Sequence, residues 1–211
     1  MGNADKLLLE IAGRPLVGHT WARFDSYPTI REIVLVIRPE QGAVFRKMAV
    51  TVGIQKPFKL VPGGDQRQDS VWNGLEELSP EVRFVAIQDG ARPCVTHTLI
   101  EATFAAARQT GAAVAAQRVT DTIKESLCGQ VITRHLDRGH LWSVQTPQTF
   151  RMDIIRNALT AVRKKGVVVT DDTAACDLIG QSVALVESAS PNPKLTFPED
   201  ALLIERLLAS A

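Results

Sequence analysis

Two short segments carry the residue types that handle phosphate. Asp89-Gly90-Ala91-Arg92-Pro93 places a carboxylate directly after the apolar run Phe84-Val85-Ala86-Ile87, with a guanidinium shortly behind it. A carboxylate at the end of a buried strand is well placed to hold Mg²⁺ against a triphosphate. Gly90 lets a ligand approach the backbone, and Arg92 can fork onto phosphate or anchor Asp89. A structural Asp–Arg pair that merely closes the loop is the competing reading. The second segment is Gly63-Gly64-Asp65-Gln66-Arg67-Gln68-Asp69-Ser70. Paired glycines followed by a helix start offer close approach and free N–H groups. The same residues would also serve as a tight turn with Asp and Ser capping the helix, and both readings stand.

Three further stretches gain meaning only in company. Leu141-Trp142-Ser143-Val144-Gln145-Thr146-Pro147-Gln148 sets two amides and a threonine beside a rigid proline, a shape suited to polyol hydroxyls. Val169-Thr170-Asp171-Asp172 reads first as a helix cap. Ser190-Pro191-Asn192-Pro193-Lys194 puts a lysine after a stiff loop, where it could meet a phosphate. No Gly-Lys-Ser/Thr loop of the P-loop type is present, which argues against a P-loop kinase or ATPase. The four histidines (His19, His97, His135, His140) read as structural or solvent-facing.

The totals narrow the ligand class. Of the 211 residues, 45% are hydrophobic and 22% charged, the balance of an ordinary globule with a sizeable core. Lys plus Arg (24) nearly cancel Asp plus Glu (23), so no global field draws in nucleic acid or an anionic membrane. Local positive charge must therefore hold any anion, which suits small phosphorylated molecules. Cys94, Cys128 and Cys176 have neither a zinc spacing nor the number for a disulfide framework. With no apolar span and no signal-peptide pattern, the expected compartment is the cytoplasm.

The elements that must position these groups alternate between strand and helix. Glu32–Ile37 is too continuously apolar for a one-sided strand. Phe58–Val61 and Phe84–Ile87 are further strands, Arg67–Leu78 is a helix with Val71, Leu75 and Leu78 on one stripe, and Thr98–Gln109 is a helix packing Leu99, Phe104 and Ala106 inward. Strands at Ala112–Ala116 and Ser182–Glu187, a helix at Met152–Lys164 and a last helix from Glu199 complete the pattern. The expected fold is a single α/β domain over residues 1–211, Rossmann-like, with a mostly parallel sheet and helices on both faces. Around residues 120–140 the rhythm breaks: Asp121–Glu125 and Val131–His135 flank Cys128-Gly129-Gln130 as a polar hairpin. It reads as a projecting β-arm, whose edges call for a partner.

Taken together in this order, these stretches resemble the 2-C-methyl-D-erythritol 4-phosphate cytidylyltransferases of the non-mevalonate isoprenoid pathway. The matching segments run from Gly63-Gly64-Asp65 through Asp69-Ser70-Val71, Asp89–Pro93, Asp121-Thr122-Ile123-Lys124, Leu141-Trp142, Thr146-Pro147-Gln148 and Thr170-Asp171-Asp172 to Asn192-Pro193-Lys194 and Pro198-Glu199-Asp200. The resemblance implies a CTP-dependent enzyme using Mg²⁺, with Lys6 meeting the triphosphate. It further implies that Gly63, Gly64, Asp65 and Ser70 contact cytosine and ribose, and that Gly90 and Ala91 line the nucleotide. Asp89 would face Mg²⁺ and the acceptor. Arg92, Thr146, Thr170 and Lys194 would face the acceptor phosphate or the α-phosphate. Thr122 and Arg138 would reach into a neighbouring subunit's site, which implies a homodimer through the arm.

The sequence departs from the family at its start. The family opens with a strand and a Gly-rich loop ending in an arginine before Met-Gly, and Met1-Gly2 stand where that loop ends. The expectation is a downstream methionine in a longer reading frame, with an apolar slot where the strand would lie. Gln88, Pro193 and Leu7 are smaller departures. Two alternatives stand beside this reading: a ribitol 5-phosphate cytidylyltransferase, and a catalytically dead nucleotide-binding dimer.

Overall fold

The computed structural model describes residues 5–210. A 3-10 turn at Lys6–Leu8 leads into an antiparallel ribbon of β1 (Glu10–Ile11) and β2 (Arg14–Pro15), then α1 (Leu16–Asp25). β3 (Ile33–Ile37), α2 (Gly42–Val52) and β4 (Phe58–Pro62) follow, then α3 (Arg67–Glu76), β5 (Phe84–Ile87), α4 (His97–Thr110) and β6 (Ala112–Arg118). After β7 (Lys124–Glu125) and β8 (Arg134–His135) come β9 (Trp142–Arg151), α5 (Met152–Lys165), α6 (Asp172–Asp177), β10 (Ala184–Glu187) and α7 (Asp200–Ala209).

The sheet falls into two parts. β10, β6, β9 and β5 form a four-stranded sheet in that order, while β3 and β4 pair as a separate parallel ladder. β10 runs parallel to β6, and β9 runs antiparallel to both β6 and β5. The parallel α/β design thus carries one reversed strand, which the polar stretch around Gln145 and Pro147 did not advertise. β9 is central all the same, because Gln145 to Phe150 are buried between its neighbours.

Helices cover both faces. α5 buries Ile154, Ile155, Ala158, Leu159 and Val162 against Phe150, Leu75 and α6. On the opposite face Leu99, Ile100 and Phe104 of α4 pack with Val95, Phe24 and Ala115. Ala107, not Ala106, completes the buried stripe of α4. In β6, Ala112 to Ala116 are all at most 2% exposed, so small side chains let helices close on both sides.

An apolar slot of about 1360 Å³ separates the two parts of the sheet. Its walls are Ile33–Ile37 of β3 and Phe84–Ile87 of β5; α1 contributes Val17, Trp21 and Phe24, and α3 contributes Val71, Gly74 and Leu75. Among the described residues, β5 is the edge of the larger sheet and β3 has β4 as its one ladder partner. The sides of β3 and β5 that border the slot therefore carry backbone groups without strand pairing. Trp21 is 3% exposed, and its Nε1–H has no partner among the described residues.

The segment 120–140 forms the expected hairpin, with Lys124 opposite His135 and Glu125 opposite Arg134. Its ladder is only two residues per strand, and Leu127, Val131 and Ile132 on it are exposed. None of the described helices is long and apolar enough to cross a membrane.

Candidate active site

The loops that follow β4, β5 and β10 converge beside the middle of β9. After β4, Gly63 N–H continues the ladder by donating to the Ile37 carbonyl (2.9 Å), and Gly64 N–H donates to Ser70 Oγ (3.0 Å). A side chain at Gly64 would lie 2.4 Å from Asp69 Cβ, so the turn accepts only glycine there. Gln66 and Asp69 form a reciprocal capping box at the start of α3. The capping reading of this segment is realised in part: Gln66 is the cap and Asp69 its partner, while Ser70 closes the loop instead of capping the helix. Gly63, Gly64 and Ser70 still line the slot at its site end, together with Lys6, Asp89, Gly90, Ala91 and Lys194. Asp65 is exposed and borders neither that cavity nor the smaller one beside it.

After β5, Asp89 N–H donates to Thr146 Oγ1 on β9 (3.1 Å), and Gly90 accepts at its carbonyl from Thr20 Oγ1 of α1 (2.9 Å). Asp89 Oδ2 lies 2.7 Å from Lys194 Nζ and 3.7 Å from Arg92 Nε. Arg92 Nη1 donates to the Asn192 carbonyl at 2.8 Å, and burial lowers the guanidinium pKa, partly offset by Asp89. Arg92 thus anchors the loop and faces the cavity at once. Ala91 is 3% exposed; its carbonyl accepts from Leu195 N–H (2.9 Å), which docks the lysine-bearing loop onto the strand end.

Asn192 explains why Lys194 stands where it does. It is 2% exposed and its Nδ2 donates to Gln145 Oε1 (3.1 Å) and the Thr146 carbonyl (2.9 Å). Gln145 donates onward to Gln117, while Gln148 donates to Asp171 Oδ2 and accepts from Asp172 N–H. The two amides that suggested polyol hydroxyls are thus occupied within the protein. They border the cavity but serve as its frame, because a buried amide must satisfy itself wherever partners lie. Asp171 caps α6 by accepting from Ala174 N–H (2.9 Å), as a Thr-Asp-Asp cap should.

A second cavity of about 290 Å³ adjoins the slot, lined by Arg67, Asp89, Arg92, Thr146, Thr170 and Lys194 among others. Asp89, Lys194 and Arg67 belong to both cavities. Lys6 lies on the slot side alone, and Arg92, Thr146 and Thr170 on the small-cavity side alone. Thr122 and Arg138 lie on neither. Both are exposed, and Arg138 Nη1 donates to the Thr120 carbonyl at the base of the arm. The residue that sequence reasoning passed over is Arg67, at the first position of α3; its signal was a cation shortly after the paired glycines.

For Mg²⁺ the donor set is one protein carboxylate. No described residue hydrogen-bonds to Asp89 Oδ1, and no cluster of three or more metal-ligating side chains occurs among the described residues. A single carboxylate with substrate phosphates filling the remaining positions is an ordinary Mg²⁺ arrangement, so the residues present fit the ion.

An α/β sheet whose strand ends gather a glycine turn, an acidic group and several cations around joined cavities defines a nucleotidyltransferase-type enzyme. The family model of 2-C-methyl-D-erythritol 4-phosphate cytidylyltransferase matches residues 1–210. The chain belongs to that family. It is 41% identical over 204 residues to the Pelotomaculum thermopropionicum protein of that name, covering 96% of this chain and 86% of the relative. Identity to the Geobacillus kaustophilus protein of the same name is 41% over 206 residues, covering 98% and 90%. The crystal structure of the Thermus thermophilus cytidylyltransferase superposes with a TM-score of 0.80 at 32% identity, covering 98% of this chain and 94% of that one. That of the 4-diphosphocytidyl-2C-methyl-D-erythritol synthase of Anaerococcus prevotii gives 0.88 at 26% identity, covering 96% and 93%.

Proposed function

We propose that this chain transfers the cytidylyl group of CTP to 2-C-methyl-D-erythritol 4-phosphate, releasing pyrophosphate, in isoprenoid biosynthesis in the cytoplasm. The observation that carries the reading is the junction of two cavities across Asp89 and Lys194. A reaction that joins two phosphorylated substrates needs two adjoining pockets with shared charge at their boundary. CTP occupies the slot end, against Gly63, Gly64, Ser70, Gly90 and Lys6. The acceptor occupies the small cavity, against Arg92, Thr146 and Thr170.

The chemistry asks for neutralisation more than for proton transfer. A phosphate monoester has its second pKa near 6 and is largely dianionic at neutral pH. An oxygen of that dianion attacks the α-phosphorus of CTP in line. A new P–O bond forms as the bond to the β-phosphate oxygen breaks, and pyrophosphate leaves with that electron pair. No general base is required. Lys6, Lys194 and Arg92 offset the converging negative charge and favour the crowded transition state. Asp89 would hold Mg²⁺, which supplies charge compensation on the triphosphate.

The arm completes the site from a second copy. Thr122 and Arg138 are too exposed to serve their own chain's cavity, and the exposed Leu127, Val131 and Ile132 give the hairpin an apolar surface to bury in a homodimer. The test is pyrophosphate release with Mg²⁺, CTP and 2-C-methyl-D-erythritol 4-phosphate, with ribitol 5-phosphate alongside. Turnover with the first acceptor and at least about tenfold less with the second is expected from differential hydroxyl recognition. Equal turnover, or turnover with ribitol 5-phosphate alone, would overturn the acceptor assignment.

A further inference from the structure

Arg67 stands at the boundary of both cavities, and one buried side chain holds it there. Its Nη2 donates to Asp172 Oδ2 at 2.7 Å. The Asp172 side chain is fully buried while that of Arg67 remains 39% exposed. Asp172 is itself fixed through its backbone, whose N–H donates to Gln148 Oε1 at 3.2 Å. The pair therefore ties α3, which follows the glycine turn, to α6, which follows Thr170.

Such a pair is a poor device for stability alone. Burial disfavours the charged carboxylate, and replacing a buried ion pair by apolar groups is often neutral or stabilising. Asp172 Oδ1 is buried with no hydrogen-bond partner among the described residues, a further cost. Burial raises the Asp172 carboxyl pKa against the downward pull of Arg67. At Arg67 burial lowers the guanidinium pKa, but the bond to Asp172 together with the attraction of Asp172, Asp89 and Asp171 raises it more, so the guanidinium stays charged. Asp172 uses one corner of a five-donor fork, and the exposed remainder borders the space where two phosphates must meet.

We propose that Arg67 is a further substrate-binding residue, donating to phosphate oxygens at the junction of the two cavities, and that Asp172 is the positioning residue that aims it. The inference rests on the nucleotidyl-transfer reading for its place in the reaction, but not for its test. Lysine at position 67 would keep the charge and lose the planar fork.

The test uses the full chain and inorganic phosphate as the probe, with affinity followed by ³¹P NMR titration. The double variant Arg67→Gln/Asp172→Asn removes both charges, so no buried carboxylate is left unpaired. It is expected to keep the wild-type circular dichroism and to bind phosphate about tenfold more weakly, the loss for a charge-assisted bond. Arg67→Lys serves as the second variant should the double variant fail to fold, and is expected to fall between the two. In turnover, Asp172→Asn should raise the acceptor KM more than it lowers kcat, a split that a purely structural role would not produce. Wild-type phosphate affinity in a folded Arg67 variant overturns the proposal, and so does the absence of phosphate binding by the wild type. Failure of turnover with phosphate binding intact would count against the proposed reaction and leave the Arg67 assignment standing.

Discussion

The two sides of the site are built differently. On the small-cavity side, nearly every polar group is tied to another: Asp89 to Lys194 and Thr146, Asn192 to Gln145 and Thr146, Gln148 to Asp171 and Asp172. All but the Asp89–Lys194 pair hang from β9, a strand paired on both sides. On the slot side, Lys6 sits on a three-residue turn, Gly63 and Gly64 are exposed, and the supporting strands β3 and β5 border an open slot. One side is held by a network and the other by a loop resting on a divided sheet. The acceptor side should therefore keep its shape under perturbations that disturb the nucleotide side.

The largest expected effects split the two substrates. Lys194→Ala removes the partner of Asp89, and should cost about 10²–10³ in kcat/KM and weaken the acceptor more than CTP. Lys6→Ala should cost a comparable factor, falling on CTP and leaving the acceptor KM near wild type. Steady-state kinetics varying each substrate in turn measure the split. Indistinguishable KM patterns would erase the distinction between the two sides.

Asn192→Ala probes the network itself. It leaves Gln145 Oε1 and the Thr146 carbonyl without their buried donor and should lower stability by about 2–4 kcal/mol in urea unfolding. A loss below about 0.5 kcal/mol would mean that the network does not hold the acceptor side.

Amide exchange sharpens the comparison without mutation. β6, flanked by β10 and β9, should exchange only through global unfolding, while β3 and β5 open locally and exchange at least about tenfold faster. Equal protection would show that the divided sheet behaves as one unit.

The smallest effect concerns the thiols. Burial pushes Cys176 up to about 12 and Cys94 up to about 11, whereas Cys128, on the exposed arm, is held below the ordinary value by backbone hydrogen bonds from Gln130 and Val131. At pH 8 a thiol of pKa 12 is only ~10⁻⁴ thiolate, so an alkylating reagent should modify Cys128 first by a wide margin. Raising the pH increases the thiolate fraction of Cys94 before that of Cys176. Early modification of Cys176 would indicate that the helical face around α6 opens.

Much of this architecture was legible because the relevant forces are local and periodic. β5 and α5 fall where apolar runs and 3.6-residue stripes place them, and the paired glycines and Thr-Asp-Asp announce helix starts by their capping chemistry. β9 was not legible as a strand: its polar residues face neighbours far away in sequence, and Pro147 argues against a central position. α1 and α2 were also missed. Gly18 and Thr20 weaken the helical pattern of α1, and only packing against α2, where Val52 would meet a side chain at position 18 at 3.2 Å, accounts for the glycine. In the site, Asp89, Arg92 and Lys194 were readable as residue types, but their shared cavity was not. Gln145 and Gln148 looked like ligand contacts because sequence cannot tell an amide that faces substrate from one that satisfies a neighbour. Arg67 was overlooked because its partner, Asp172, lies in a distant part of the chain.

In the proposed reaction an acceptor phosphate in the small cavity attacks the α-phosphorus of CTP across the Asp89–Lys194 boundary. The most direct measurement is ³¹P NMR of a reaction run with 2-C-methyl-D-erythritol 4-phosphate carrying ¹⁸O in its phosphate. The expected spectrum shows a new diphosphate pair with ¹⁸O retained in the product, one labelled oxygen bridging to the cytidylyl phosphorus, and unlabelled pyrophosphate. Label in the pyrophosphate, or CTP consumed with no diphosphate product formed, would contradict it.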